Sequence, residues 1–174
     1  WEVYLGLVTL LDTCVGKLVD ELKAQGMYDD CLIVFTSDHG EMLGSHALWQ
    51  KMCMYEEAVR IPLTIKLPGA AGRGTRITEA VSAVDVLPTL CDCLGMDPPP
   101  GMDGRSLLPL IGGRPAADKP VFIQYDGNGA RGNFQRCIVC GSMKLIVDQF
   151  KDETYLELYD LEQDGGARLN RAFD

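Results

Sequence analysis

Apolar residues recur at helical spacing over the first part of the chain. From Tyr4 to Ala24 they lie three or four positions apart, and charged residues such as Lys17 and Glu21 fall on the opposite face. This pattern predicts an amphipathic helix. Gly26 comes where a left-handed glycine commonly ends a helix, so we expect the helix to stop there.

A short, continuous apolar run from Leu32 to Phe35 follows the helix. The run is too short for a helix and is rich in β-branched and aromatic residues, so it predicts a parallel strand that is buried on both faces. Asp38 and His39 follow closely. Because open α/β sheets bind ligands beyond the C-terminal ends of such strands, this pair is the first candidate for a functional site.

The later pattern predicts a second strand, a second helix and a strand-rich tail. Ile61 to Leu67 is strand-like, and apolar residues at helical spacing over 81–94, behind a capping box that starts at Ser82, indicate the helix. The strand-like stretches of the tail are 121–125, 136–147 and 156–161. Because Gly141 and Ser142 form a turn inside the second stretch, we expect a hairpin there.

Glycine and proline accumulate between Arg114 and Lys119, which indicates a boundary. We therefore predict two parts. Residues 1–116 form an α/β part that carries the candidate site, and residues 117–174 form a small antiparallel β subdomain.

Composition narrows the possible classes of function. The chain has 174 residues, of which 47% are hydrophobic, and this is typical of a globular protein. A net charge of −9 argues against nucleic acid or an anionic membrane as the main partner. No apolar run approaches 18 residues, so no membrane span is predicted. An anionic substrate would need positive charge that is supplied locally.

The chain opens at Trp1 inside the helical pattern, so we expect a fragment of a longer protein whose targeting signal, if any, lies upstream. Its seven cysteines are odd in number and form no regular framework. This usage is more typical of reduced thiols in a cytoplasmic compartment than of a disulfide scaffold, but localisation stays open.

Asp38 and His39 allow two interpretations. An Asp before a glycine-containing turn is often structural, since its side chain bonds to the local backbone. The same pair also offers an oxygen and a nitrogen to a metal ion. The carboxylate suits calcium, whereas histidine is more usual for zinc or manganese, so the residues leave the identity of the metal open.

Lys51 lies twelve residues after His39 in an apolar and aromatic segment. It is either a surface lysine with a packed stem or a cation that binds an anionic substrate. His46 is also ambiguous, because a loop histidine can contact substrate, donate a proton, or only pack and form hydrogen bonds.

Two segments, TSDHGEMLGSHALWQK and YEEAVRIPLTIKLPG, closely resemble the C-terminal half of the sulfatases in the alkaline-phosphatase superfamily. The likeness extends to the start, YLGLVTLLDTCVGKLVDEL, and to the end, LELYDLEQD. It implies an α/β fold that forms the C-terminal portion of an alkaline-phosphatase-like sandwich with a small antiparallel-sheet C-terminal subdomain. Residues 1–116 would then be the C-terminal part of the sulfatase core, with half of the metal site.

The resemblance also implies roles for three residues. Asp38 and His39 would coordinate a divalent cation, most often calcium, although manganese and zinc stay possible from the ligand types. Lys51 would contact the sulfate. The expected substrate is a sulfated small molecule or glycan, and the expected partner is the N-terminal half of the same protein.

The chain departs from the family pattern in one important respect. The sulfatase nucleophile begins a Cys-x-Pro-x-Arg or Ser-x-Pro-x-Arg motif and is oxidised to formylglycine, and this chain contains no such motif. The further aspartates, lysine and histidine of the family site also belong to the N-terminal half. We therefore expect the fragment alone to be inactive. The terminal DGGARLN replaces the Asp-Pro-Gly-Glu pattern that is usual there.

Three functions are consistent with these features. The leading one is a sulfatase that hydrolyses sulfate esters in its full-length form. A phosphodiesterase or phosphonate monoester hydrolase of the same superfamily shares the Asp-His-Gly turn and the lysine interval. A non-catalytic, sulfatase-like binding domain is the third. The identity of the ester and the oligomeric state do not follow from the sequence.

Overall fold

A computed structural model describes residues 1–70, 74–114, 119–127 and 132–173. Their contacts divide the chain into two compact units. The first comprises Trp1–Ser37 with Pro62–Gly74, and the second comprises Asp38–Ile61 with Thr75–Asp174. The boundary predicted near residue 116 falls at 115–118, which lie outside the described residues, so the division at 116 stays a prediction.

The first unit contains one long helix and a pair of short strands. Helix α1 spans Glu2–Ala24, strand β1 spans Ile33–Thr36 and strand β2 spans Leu63–Lys66. Gly26, at φ 69°, follows the end of α1, and the amide of Met27 donates to the carbonyl of Leu22 at 2.9 Å. This is the hydrogen bond of a Schellman motif, so the predicted stop at Gly26 is confirmed.

The environment of β1 differs from the prediction. β1 pairs with β2 in antiparallel orientation, with Phe35 opposite Thr64, and Phe35 is 40% exposed. The expectation of a parallel strand buried on both faces is therefore wrong for the described chain. An apolar run indicates that both faces can be buried, but the direction and number of neighbouring strands depend on contacts that periodicity does not encode.

Helix α1 likewise has the predicted spacing without a buried face. None of its residues is buried in the described structure, and Leu7 and Leu11 are 60% and 52% exposed. None of the helices in the described part of the chain is both long enough and apolar enough to cross a membrane.

The second unit is built on a four-stranded antiparallel sheet. Its strands, in spatial and sequence order, are β3 Val121–Tyr125, β4 Asn133–Cys140, β5 Met143–Phe150 and β6 Glu153–Asp160. Gly141, at φ 57°, and Ser142 join β4 to β5, so that Cys140 lies opposite Met143. The predicted hairpin and the antiparallel tail are both confirmed.

Among its described residues, the second unit also has three short α-helices, α2 Glu56–Val59, α3 Val86–Cys93 and α4 Leu108–Ile111, and the 3-10 helices Ser45–Ala47 and Ala83–Asp85. The capping box predicted at Ser82 is present before α3, where the amide of Ser82 donates to Oδ2 of Asp85 at 2.9 Å. Asp85 is buried, and its other carboxylate oxygen accepts the amide of Arg105 at 2.9 Å. This carboxylate therefore connects the start of the helix to a distant loop.

One hydrophobic core cluster of the second unit lies where the sheet meets the segment 38–61. Its buried members come from that segment, from β4 to β6 and from the C-terminal turn: Met54, Cys137, Ile146, Tyr159 and Ala167. One ion pair lies among them. Lys144 of β5 is fully buried and donates to Oε1 of Glu56 at 2.7 Å. The core therefore attaches the segment that carries the candidate residues to the sheet.

Candidate active site

The turn that follows β1 in the chain is shaped by the Asp38-His39-Gly40 sequence. The amide of His39 donates to Oδ1 of Asp38 at 2.9 Å, and Nδ1 of His39 lies 2.8 Å from the carbonyl oxygen of Gly40. A carbonyl oxygen only accepts hydrogen bonds, so Nδ1 carries the proton in this arrangement. In the tautomer with this proton, the ring lone pair is on Nε2.

All three residues predicted to form the site meet at this nitrogen. Oδ2 of Asp38 lies 3.3 Å from Nε2 of His39. Nζ of Lys51 is hydrogen-bonded to the same Nε2. The carboxylate, the imidazole and the ammonium are therefore neighbours, although the lysine is twelve residues away in the sequence.

Helix α2 holds the turn through its backbone. The amide of Gly40 donates to the carbonyl of Ala58 at 2.7 Å, and the amide of Glu41 donates to that of Glu57 at 2.9 Å. A Cβ atom at position 40 would overlap the carbonyl oxygen of Glu57. Glycine is thus required here because two backbone segments approach closely, which is a role that the Asp-His-Gly motif alone did not reveal.

The loop that carries Lys51 is held by Glu41. Oε1 of Glu41 accepts the amide of Gln50 at 2.5 Å, and the amide of Met42 donates to the carbonyl of Gln50 at 2.9 Å. Sequence reasoning missed Glu41. The only available signal was an acidic residue directly after a candidate motif, which is also common in ordinary turns.

The same loop contains four non-glycine residues with positive φ, namely Leu43, His46, Ala47 and Gln50. Backbone in this region is strained for residues with a side chain and persists where surrounding contacts hold it. Such clusters often occur in functional loops, which is consistent with the position of Lys51 directly after Gln50.

His46, whose role was left open, makes its contacts within the second unit. Its ring stacks on Tyr55 with a centroid distance of 4.0 Å and an interplanar angle of 2°. Its Nε2 lies 2.9 Å from the carbonyl oxygen of Gly166. These contacts support the structural alternative, in which His46 ties the loop to the C-terminal turn.

Tyr55 continues this connection into the sheet. Its hydroxyl donates to Oε2 of Glu157 at 3.1 Å, and the hydroxyl of Tyr159 donates to the same oxygen. Burial, followed by the Glu157 carboxylate, raises the pKa of Tyr55 to about 12. Tyr55 therefore stays a neutral hydrogen-bond donor at physiological pH.

The donor set suits a divalent cation. The proton on Nδ1 is directed to a backbone carbonyl, which is the arrangement that fixes the ring orientation of metal-binding histidines and makes Nε2 the ligating atom. The 3.3 Å separation of Nε2 and Oδ2 of Asp38 equals the spacing of adjacent octahedral ligands, about 3.3 Å for bonds of ~2.3 Å. Among the described residues, no group of three or more His, Cys, Asp or Glu could hold a metal ion, and Asp38 and His39 offer two neighbouring ligand atoms.

Comparison with known proteins places this fold in a family. Residues 44–173 match the family described as "N-sulphoglucosamine sulphohydrolase, C-terminal". The region from the candidate loop to the last β strand is thus a C-terminal region of the sulfatase type in the alkaline-phosphatase superfamily, as its motifs suggested. The chain belongs to the N-sulphoglucosamine sulphohydrolase C-terminal family.

The curated relatives include a multifunctional protein of the alkaline phosphatase superfamily and a sulfatase. The chain is 45% identical over 71% of its length to the multifunctional alkaline phosphatase superfamily protein PehA of Trinickia caryophylli, of which it covers 24%. It is 37% identical over 94% of its length to the choline-sulfatase of Rhizobium meliloti, of which it covers 31%. The chain therefore spans about a quarter to a third of these relatives.

Solved structures confirm the fold. The phosphonate monoester hydrolase of Agrobacterium radiobacter superposes with a TM-score of 0.86 and 32% identity over 99% of this chain and 37% of that one. A protein solved in complex with its substrate D-glucosamine-2-N,6-O-disulfate superposes with a TM-score of 0.77 and is 30% identical to this chain. The match covers 94% of this chain and 34% of that one. The predicted fold class, with its small antiparallel subdomain, is confirmed.

Proposed function

We propose that the full-length protein that contains this chain hydrolyses sulfate esters, and that this chain supplies Asp38 and His39 as metal ligands and Lys51 as a cation for the sulfate. The observation that carries the proposal is the convergence of all three side chains at Nε2 of His39. A site with this composition has both a position for a cation and a second positive charge beside it.

The expected metal is a divalent cation, with calcium favoured by the family resemblance and manganese or zinc compatible with the ligand types. When bound, such an ion polarises an oxygen of the ester and stabilises charge that develops on it. Two protein ligands hold a cation only weakly, so further ligands are expected from the part of the protein upstream of this chain.

Each residue of the chain then has a definite task. The hydrogen bond from Nδ1 to the carbonyl of Gly40 orients the imidazole and keeps the lone pair on Nε2. The Asp38 carboxylate supplies negative charge next to that nitrogen. Lys51, at the end of a flexible stem, can move its ammonium from His39 to a sulfate oxygen, where it offsets the charge of the leaving group.

The nucleophile is expected to lie outside this chain. The family resemblance implies a formylglycine in the N-terminal half, whose hydrate attacks sulfur. On this basis the isolated fragment is inactive, and the N-terminal half of the same protein is its partner. The substrate is expected to be a sulfated small molecule or glycan, since the choline-sulfatase and the protein bound to a disulfated glucosamine are both similar to this chain.

Phosphonate monoester or phosphodiester hydrolysis is the second candidate. It is favoured by the similarity to the phosphonate monoester hydrolase and to the multifunctional PehA protein. Sulfate and phosphonate esters present similar tetrahedral anions, so the same metal and lysine could serve both. The residues of this chain do not distinguish between the two reactions.

Activity on matched esters separates the candidates. The full-length protein is assayed with 4-nitrophenyl sulfate, 4-nitrophenyl phenylphosphonate and bis-4-nitrophenyl phosphate, which share one leaving group. A kcat/KM that is highest for the sulfate supports the sulfatase proposal. A clearly higher kcat/KM for either phosphorus ester would support the second candidate function, and the sulfatase proposal would be wrong.

The same experiment addresses the non-catalytic alternative. A full-length protein that is stabilised by calcium or manganese but hydrolyses none of these esters, nor a panel of sulfated glycans, would be a binding domain with a retained metal site. The catalytic proposal would then be wrong, whereas the proposed metal ligands would stand.

A further inference from the structure

In the described part of the site, the side chain of Glu41 joins the two segments that carry the candidate residues. It lies two residues after His39, and its amide donates to the carbonyl of Glu57 in α2 at 2.9 Å. Its carboxylate contacts the lysine loop, where Oε1 accepts the amide of Gln50 at 2.5 Å. The backbone of Glu41 is therefore fixed with the histidine turn while its side chain holds the lysine loop.

The residue that Glu41 holds is conformationally unfavourable. Gln50 has φ 70°, in the left-handed region that non-glycine residues seldom occupy. Its amide is bound by Glu41, and its carbonyl accepts the amide of Met42 at 2.9 Å. Met42 is 1% exposed, so this second contact leads to a buried anchor. A strained residue held at both polar groups indicates that its conformation is determined by these contacts.

Lys51 follows Gln50 directly, so the conformation of Gln50 sets the direction in which the lysine leaves the backbone. A lysine side chain has several rotatable bonds, and its ammonium reaches a given point reliably only if its Cα is well placed. The hydrogen bond between Nζ of Lys51 and Nε2 of His39 spans the same two segments that Glu41 connects. The Glu41–Gln50 and Lys51–His39 hydrogen bonds therefore connect the same two segments.

We propose that Glu41 is a positioning residue whose carboxylate fixes Gln50 and thereby places the ammonium of Lys51 over the metal-binding pair. This inference rests on the proposed function, because it assigns Glu41 to the anion-binding step of that site. Glu41 acts through the backbone of Gln50, without contact to substrate or metal.

A double-mutant cycle in the full-length protein tests this role. Glu41→Ala removes the acceptor, and we expect kcat/KM to fall by about 10- to 100-fold, the range for a small misplacement of a catalytic group. Glu41→Gln keeps an acceptor at the same position and is expected to stay within about 3-fold of wild type, as an uncharged amide oxygen can still bind the Gln50 amide. Glu162→Ala, a matched change at an exposed glutamate, is the control.

Making Glu41→Ala in a protein that already carries Lys51→Ala tests whether Glu41 acts through the lysine. If Glu41 acts through Lys51, Glu41→Ala has little further effect once the lysine is absent, so the two losses are strongly non-additive. Equal losses from Glu41→Ala in both backgrounds, or equal losses from Glu41→Ala and Glu41→Gln, would overturn the proposal.

A readout that does not depend on activity keeps this test separate from the proposed function. Amide hydrogen exchange of the full-length protein is expected to become faster at Gln50 and Lys51 in Glu41→Ala, while calcium affinity stays within about 3-fold because Asp38 and His39 keep their backbone bonds. Unchanged exchange at Gln50 overturns the inference. A wild-type protein that hydrolyses no ester overturns the proposed function, and faster exchange would still support the Glu41 contact.

Discussion

The ammonium of Lys51 is hydrogen-bonded to Nε2 of His39, the nitrogen whose lone pair faces away from the backbone. A bound metal ion would use that same lone pair. The ammonium of Lys51 therefore lies at the atom of His39 to which the proposed metal ion would bind. Metal binding would then direct the ammonium toward the space where the anionic group of a substrate is expected.

Replacing this lysine should separate metal binding from catalysis. In Lys51→Met we expect kcat/KM for the preferred ester to fall by about 100-fold or more, because a cation that stabilises developing charge is lost. Calcium or manganese affinity should rise by about 10-fold, because a positive charge no longer competes at Nε2. Titration calorimetry of the full-length protein measures the second effect. Lys17→Met on α1 is the control, and a weaker metal affinity in Lys51→Met would contradict the site geometry.

The two proposed ligands should control stabilisation by metal. A ligand that binds only the folded state at 100 times its Kd raises the free energy of unfolding by about 2.7 kcal/mol. We expect calcium or manganese to raise the Tm of the wild-type protein. In Asp38→Asn and in His39→Ala, most of this increase in Tm should be absent. Asp152→Asn, in the exposed turn between β5 and β6, should respond like wild type. A full metal response in either ligand variant would exclude that residue from the site.

The buried ion pair should dominate the stability of the second unit. Lys144→Met leaves the Glu56 carboxylate, only 16% exposed, without its partner, and breaking a buried pair in this way costs about 3–5 kcal/mol. The double variant Lys144→Met with Glu56→Gln should recover a large part of that loss. Urea midpoints of the full-length variants measure both effects, with Lys151→Met as the exposed control. A midpoint unchanged by Lys144→Met would show that the pair contributes nothing.

Tyr55 should make stability sensitive to alkaline pH. Its pKa is raised from 10 in the unfolded chain to about 12, first by burial and then by Glu157. The folded state therefore keeps a proton that the unfolded state releases, so the contribution is fully present below pH 10 and is lost as pH rises from about 10 to 12. Tyr55→Phe should flatten this part of the pH dependence of Tm. The reverse slope in wild type would contradict the assigned direction.

Local patterns were sufficient for several elements and for the identity of the candidate residues. Helical spacing with Gly26 located α1 and its end, and the turn at Gly141 located the hairpin of the sheet. These features depend on interactions within a few residues, where backbone sterics and side-chain period decide the outcome. The Asp38 and His39 pair could be named as a candidate for a similar reason, because both residues lie in one short motif, and its role in metal binding stays a prediction.

The features that the sequence left undetermined depend on segments that are distant along the chain. The antiparallel pairing of β1, the burial of Lys144 against Glu56 and the bond from Glu41 to Gln50 each join residues that no local period relates. By itself, the sequence determined which residue types are available for a metal and an anion. Only the tertiary structure decided that Asp38, His39 and Lys51 meet at one nitrogen, because a hydrogen bond across a loop requires the positions of both ends to be set by the packed segments around them.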